Sequence, residues 1–306
     1  MTITLYENFC AVFYTPFYLP QALGAFAAED IDVNQVADQY VDYRTAHHGH
    51  TTTDTYWGGP MRLMVAYDKD PNSELVAFCE VVTRDPFFLL GRDPNPGFDV
   101  AELMDRKLGS VSEVPTPWMC LQDDLRRAGC DPDAVDRVAD KTMAENAAAL
   151  RDGSLDVIQV FQPFAEDLVA SGAGHIWYAA ANRGACSYTM LYTHRATLAA
   201  EADALRRMTR AMYRCQKWLH AQPAAEVAGA VADRFPDVSR EILTACIERY
   251  KALGIWGKTP RLPLEGYDRL MAAMHSGGLI GKTTPYETCV DTTIADAVIA
   301  EDPPSM

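Results

Sequence analysis

The first thirty-odd residues constrain the fold more than any other stretch of the 306-residue chain. Thr2-Ile3-Thr4-Leu5-Tyr6 reads as a short strand. Phe13-Tyr14-Thr15-Pro16-Phe17-Tyr18-Leu19-Pro20 follows as a loop and then a helix with apolar residues on one face. Gly24-Ala25-Phe26-Ala27-Ala28-Glu29-Asp30 closes that helix, and a second strand starts near Ile31. Strand, helix and strand in succession lay the two strands side by side, and repetition of that unit builds a largely parallel sheet.

The repetition is present. Further strands are expected at Asp32-Val36, Thr53-Trp57 and Leu75-Val82, with Gly58-Gly59-Pro60 breaking the third and Pro60 opening a helix over Met61-Tyr67. A second unit begins after Thr83-Arg84-Asp85-Pro86. Its strands are expected at Phe87-Leu90, Lys107-Val111 and Asp156-Val160, and its helices at Thr116-Ala128, Met143-Arg151 and Pro163-Ala170. Ser187-Thr193 reads as the strand that returns the chain to the first unit. From Ala196 onward apolar residues recur at helical spacing over Leu198-Ala221, Ala224-Asp233, Ser239-Leu253 and Leu264-Met274, punctuated by Pro236, Gly254, Pro260, Pro263 and Gly277-Gly278. The tail Glu301-Met306 is expected to be loose.

Gly24, Phe26, Glu29, Ile31, Asp32 and Val33, behind an aromatic-proline entrance, resemble the first helix of bilobed substrate-binding proteins of the nitrate/sulfonate/taurine and thiamine-pyrimidine type. Asp30 stands where those proteins usually have glycine. Asp54-Thr55-Tyr56-Trp57-Gly58-Gly59-Pro60 is similar to their Asp-containing strand with a Gly-rich turn. The resemblance implies an α/β, two-lobed periplasmic-binding-protein type II-like fold with a two-segment hinge. Lobe 1 would comprise residues 1–83 and 190–306, and lobe 2 the inserted residues 84–189. It also implies reversible binding of a small-molecule ligand in the interlobe cleft, and an ABC permease as partner if the protein is exported.

Composition narrows the partners. A formal net charge of -15 and a pI near 4.8, without a basic run, argue against nucleic acid. No apolar run approaches the roughly 20 residues that span a bilayer, so membrane insertion is not expected. Met1 runs straight into a strand with no basic, apolar or cleavage-site segment, the pattern of a processed form or of a cytoplasmic protein. The eight cysteines are scattered with no C-x-x-C pair, which suits free thiols in a reducing compartment and favours the cytoplasm.

In an open α/β sheet ligands sit beyond the carboxyl ends of strands. Four such places stand out: the loop with Asn8, Phe13 and Tyr14; Trp57-Gly58-Gly59; the strand-to-helix turn with Ser112, Glu113, Thr116 and Trp118; and the turn with Gln159 and Phe161. With Tyr188 they would make an aromatic slot in which Glu113 is the one carboxylate, suited to a flat heterocycle or a small aromatic ligand that bears nitrogen. Phe13, Trp118 and Phe161 would serve equally well as packing between lobes.

His47, His48, His50 and Asp54 form a second cluster, a ligand set for zinc or iron without a strong metal spacing. This keeps open a cytoplasmic metal-dependent enzyme on the same scaffold; if the protein only binds its ligand, no cofactor is expected. The enzymatic relative that the resemblance brings in is the thiamine-pyrimidine synthase, which uses an active-site histidine, pyridoxal phosphate and iron. Its Cys-Cys-Cys-x-Cys motif is absent, and the helix that should carry its histidine, Met61-Tyr67, offers only Arg62 nearest in place. G-x-S-x-G, Walker A and G-x-G-x-x-G templates are also missing.

Overall fold

The structure is a computed structural model and describes residues 2–7, 9–37 and 54–306. The chain begins with β1 (Thr2–Glu7), α1 (Thr15–Ala22), α2 (Ala25–Ala28), β2 (Asp32–Ala37), β3 (Asp54–Gly58), α3 (Met61–Lys69) and β4 (Leu75–Val82). It crosses to β5 (Phe88–Gly91), β6 (Leu108–Gly109), α4 (Thr116–Arg127), β7 (Arg137–Val138), α5 (Met143–Asp152), β8 (Val157–Val160), α6 (Phe164–Ala170) and β9 (His175–Ala179). It returns through β10 (Thr189–His194) into α7 (Arg195–Ala200), α8 (Ala202–Ala221), α9 (Ala224–Val231) and α10 (Arg240–Leu253). The last elements are α11 (Leu264–Ser276), α12 (Tyr286–Cys289) and α13 (Thr293–Glu301).

Two five-stranded sheets result, in the orders β2-β1-β3-β10-β4 and β7-β6-β8-β5-β9. Both are largely parallel, as strand-helix alternation leads one to expect, and neither is wholly so. Among the described residues each sheet has one reversed strand: β10 runs antiparallel to β3 and β4, and β5 runs antiparallel to β8 and β9. In both cases it is the strand by which the chain arrives from the other lobe. The local β-α-β rule governs strands joined through helices and says nothing about a strand fed in across the hinge.

Local chemistry sets several boundaries. Gly24 takes φ 69 and divides the expected first helix into α1 and α2. Asp30 takes φ 54, so it supplies the left-handed turn for which the resembled proteins use glycine; a short polar side chain tolerates that region better than most. A capping box of Thr142 and Glu145 starts α5. Ser239 caps α10 at one end and Gly254, left-handed, ends it. The strand expected over Lys107-Val111 shrinks to Leu108–Gly109, and the long helix expected from Leu198 breaks at Glu201. The tail is not loose: Lys217 Nζ donates to Asp302 and to the carbonyl of Pro303, and Arg214 Nε donates to that of Pro304.

One apolar core runs through both lobes, from Phe13 and Phe17 to Val160 and Leu168. The crossings are tied together by backbone bonds from Tyr188 to Val82, Cys186 to Thr83 and Ala180 to Phe87, and to the segment after α10 by Thr83 to Ile255. Arg183, in the return crossing, forms buried ion pairs with Asp85 in the outgoing crossing and with Asp124 on α4. The Tyr250 hydroxyl of α10 accepts from Gln162 N–H at 3.0 Å and donates to the Pro86 carbonyl at 3.1 Å.

Candidate functional site

A small cavity lies where the lobes meet. The loop and turn after β1 contribute Phe9, Phe13 and Tyr14; the turn from β3 into α3 contributes Gly59, Met61 and Arg62. Val114 and Thr116 come from the turn into α4, and Phe87 and Tyr188 from the two crossings. Every wall thus stands beyond the carboxyl end of a strand or on the hinge, which is where an open α/β sheet leaves room for a ligand. The glycine at 59 is required by closeness: a Cβ there would meet the Tyr188 carbonyl at 3.1 Å.

The walls are mutually braced rings. Phe161 stands behind the lining, edge-on to Phe13 and to Phe87 with centroids 5.3 Å apart in each case. Phe13 meets Tyr188 at 6.4 Å and 88°. Such edge-to-face contacts hold the rings while leaving their outer faces for a ligand. The free space is only about 40 Å³, against about 300–1,000 Å³ for organic-ligand pockets, so the lobes must part to admit one.

The electrostatics favour negative charge. Among the described residues no carboxylate lines the cavity. Arg62 is half-buried, and its guanidinium makes no hydrogen bond or ion pair with a described residue. Helices α3 and α4 both begin at the cavity wall, and neither has a side-chain cap or an acidic residue in its first turn. The Arg62, Leu63 and Met64 N–H groups of α3 bond back to the Gly59 and Pro60 carbonyls, so these helices offer the cavity chiefly the positive ends of their dipoles. The Tyr188 hydroxyl is buried without a hydrogen-bond partner among the described residues, and burial, with Asp85 next in effect, pushes its pKa well above the usual phenol range.

Of the residues singled out from sequence, Phe13, Tyr14, Gly59, Thr116 and Tyr188 line the cavity, with Phe161 behind them. Others lie elsewhere. Trp57 is fully buried in lobe 1, stacked on Phe17 at 4.6 Å, and Gly58 ends β3 paired to Met190. Trp118 packs in the lobe 2 core with the Arg137 guanidinium 4.3 Å above its ring. Gln159 is buried and donates to the Pro117 carbonyl at 3.0 Å, so it steadies the first turn of α4 rather than facing the cavity. Ser112 and Glu113 are exposed, and Glu113 accepts the Met143 N–H at 2.9 Å at the start of α5. Asn8, His47, His48 and His50 lie outside the described residues. Asp54 is buried in β3, where its carbonyl accepts from the Thr193 hydroxyl; no group of His, Cys, Asp or Glu able to hold a metal occurs among the described residues.

Phe87, Met61, Val114 and above all Arg62 were not singled out as ligand contacts. For Arg62 a signal existed. An arginine in the first turn of a helix opposes the helix dipole, and without an acidic neighbour to offset it such a placement points to use elsewhere. Cys10, in the loop after β1, is no activated nucleophile: burial, and Glu7 beside it, raise its thiol pKa.

Residues 22–233 match the model of the NMT1-like family, well over half the chain, and the chain belongs to that family. The "Putative binding protein YtlA" of Bacillus subtilis (strain 168) is 26% identical over 304 residues, covering 95% of this chain and 88% of its own. The periplasmic aliphatic sulphonate binding protein SsuA of Escherichia coli superposes with a TM-score of 0.74 at 12% identity, over 95% of this chain and 92% of its own. A solved structure of the desulfurization enzyme DSZB with biphenyl-2-sulfinic acid superposes with a TM-score of 0.73 at 14% identity, over 98% and 99% of the two chains. At these identities the likeness is one of fold, the periplasmic-binding-protein fold.

Proposed function

We propose that this NMT1-like protein is a solute-binding protein of the ABC-transporter type, or a close relative of one. Its ligand would be a small organic anion with a flat, apolar or aromatic body, held in the interlobe cavity and released when the lobes part. The observation that carries this reading is Arg62, unpaired in an aromatic cavity beside two uncapped helix N-termini and no carboxylate. Rings would cover the body of the ligand, and Arg62 with the positive ends of α3 and α4 would meet a sulfonate, sulfinate or carboxylate. SsuA and DSZB, whose names and bound ligand speak of sulfonate and sulfinate, lend support to that choice. The nitrogen-bearing heterocycle expected from Glu113 loses its anchor, because Glu113 is engaged at the start of α5.

The reading gives a metal no role. Among the described residues no helix is long and apolar enough to cross a membrane, and all eight cysteines are unbridged; on the latter ground we assign the protein to a reducing compartment. Calorimetric titration with aryl sulfonates, aryl carboxylates and pyridinium or thiazolium cations tests the ligand class. Saturable binding of the aryl anions alone is expected. Preference for the cations would overturn the reading. Metal that co-purifies stoichiometrically and whose removal abolishes binding would overturn its metal-free form.

A further inference from the structure

Cys120 and Cys186 are 66 residues apart in sequence, yet their Sγ atoms stand 4.0 Å apart. Both are buried, Cys120 on α4 of lobe 2 and Cys186 in the return crossing, where its N–H is bonded to the Thr83 carbonyl. Leu262, Tyr267 and Leu270 of lobe 1 belong to the same buried cluster as the two thiols, and α11 packs on α4. They also lie close behind the ligand cavity: Thr116, one turn before Cys120, and Tyr188, two residues after Cys186, both line it.

We propose that Cys120 and Cys186 form a reversible disulfide that ties α4 of lobe 2 to the return crossing of the hinge. Bond formation brings the sulfurs about 2 Å nearer than they stand. The oxidant is a peroxide. With the lobes parted, the Cys120 thiolate attacks one peroxide oxygen, the O–O bond breaks, and sulfenic acid and hydroxide result. On closure the Cys186 sulfur displaces the sulfenic hydroxyl, the S–S bond forms and water leaves. In sum two thiols and one hydrogen peroxide give one disulfide and two waters. Arg183, whose charge favours the Cys120 thiolate, is the nearby cation; in the closed form the Cys186 thiol and burial oppose ionisation, and parting of the lobes relieves the burial. The bond would join the α4 wall of the cavity to the crossing that carries Tyr188, and ligand exchange would slow.

The test uses the full chain with Cys10 and Cys130, the thiols that are not fully buried, replaced by serine. The protein is treated with equimolar hydrogen peroxide under native conditions and mapped by mass spectrometry without reduction. A Cys120–Cys186 linked peptide, a mass loss of about 2 Da and full reversal by dithiothreitol are expected. Amide exchange across residues 180–188 should slow about tenfold in the oxidised protein, as expected where local opening is suppressed. Absence of the linked peptide, or stable sulfinic acid at either position, overturns the proposal. A linked peptide with unchanged exchange in the crossing overturns the tie's effect on the hinge. The unvaried thiol pair is itself what is measured, so no folding defect at either position can obscure the result.

Discussion

Arg183 and Arg62 both lie where the two lobes meet, and the surroundings of one guanidinium are the inverse of the other's. The Arg183 side chain is 5% exposed and is paired with Asp85 and Asp124, while the Tyr178 hydroxyl donates to the same Asp124 at 3.2 Å. Burial raises the pKa of Asp85 and the arginine opposes that rise. Arg62 is half-buried, and its guanidinium has no partner among the described residues. A charge answered from within holds the hinge together. A charge left unanswered beside a cavity is available to something from outside.

Removing Arg183 should break the molecule first. Arg183→Met strands Asp85 in the core and should cost about 3–5 kcal/mol of unfolding free energy in urea denaturation, the range for one partner taken from a buried pair. A loss below about 1 kcal/mol would end the contrast drawn here. Arg62→Ala should do the reverse. Stability should move by no more than about 0.5 kcal/mol, since no side-chain hydrogen bond or ion pair with a described residue is lost. Affinity for an aryl sulfonate should fall on the order of 100-fold by calorimetry, with partial recovery in Arg62→Lys.

Glu80 sharpens the comparison, because it is a buried acid with no arginine at all. Burial pushes its pKa up to about 8, although Ser187 and Thr83 nearby pull it back. The folded protein therefore keeps this proton up to about pH 8 while the unfolded chain loses it near the ordinary carboxyl value of 4.5. In that window the folded state binds more protons, so stability falls as pH rises from 4.5 to about 8 and is level above. Glu80→Gln should abolish that slope, gaining on the parent at pH 9 relative to pH 5 in thermal melts. An unchanged slope would mean that Glu80 is ionised in the fold. The smallest effect is expected at Tyr188→Phe. Its hydroxyl has no partner among the described residues, so stability should change by less than about 1 kcal/mol. A larger fall in ligand affinity in the same variant would assign the hydroxyl to the ligand.

Much of the fold was legible in the chain. Leu75-Val82 is apolar enough along its length to be read as one strand, and the caps of α5 and α10 are local signals. His175–Ala179 and Arg137–Val138 were not read as strands, since each is a half-exposed edge of its sheet and exists through the partner it pairs with. The site was half legible for a similar reason. Position at the carboxyl end of a strand can be read locally, which is how Phe13, Gly59 and Thr116 were found. Side-chain direction cannot. Thr116 and Trp118 are two residues apart on one helix, so when Thr116 faces the cavity Trp118 turns to the lobe 2 core. Glu113 meets a helix that begins thirty residues later, a contact invisible in its own neighbourhood.

The reversed strands leave one more consequence. Val82 of β4 pairs with Thr189 of β10, and Phe88 of β5 pairs with Ala179 of β9. Both ends of the inserted lobe therefore leave and enter on neighbouring antiparallel strands, about 5 Å apart. Topologically the second lobe is a domain spliced into the tip of a hairpin. A short turn between β4 and β10 would restore that hairpin, and lobes of related proteins could be grafted at the same two seams without rethreading either sheet.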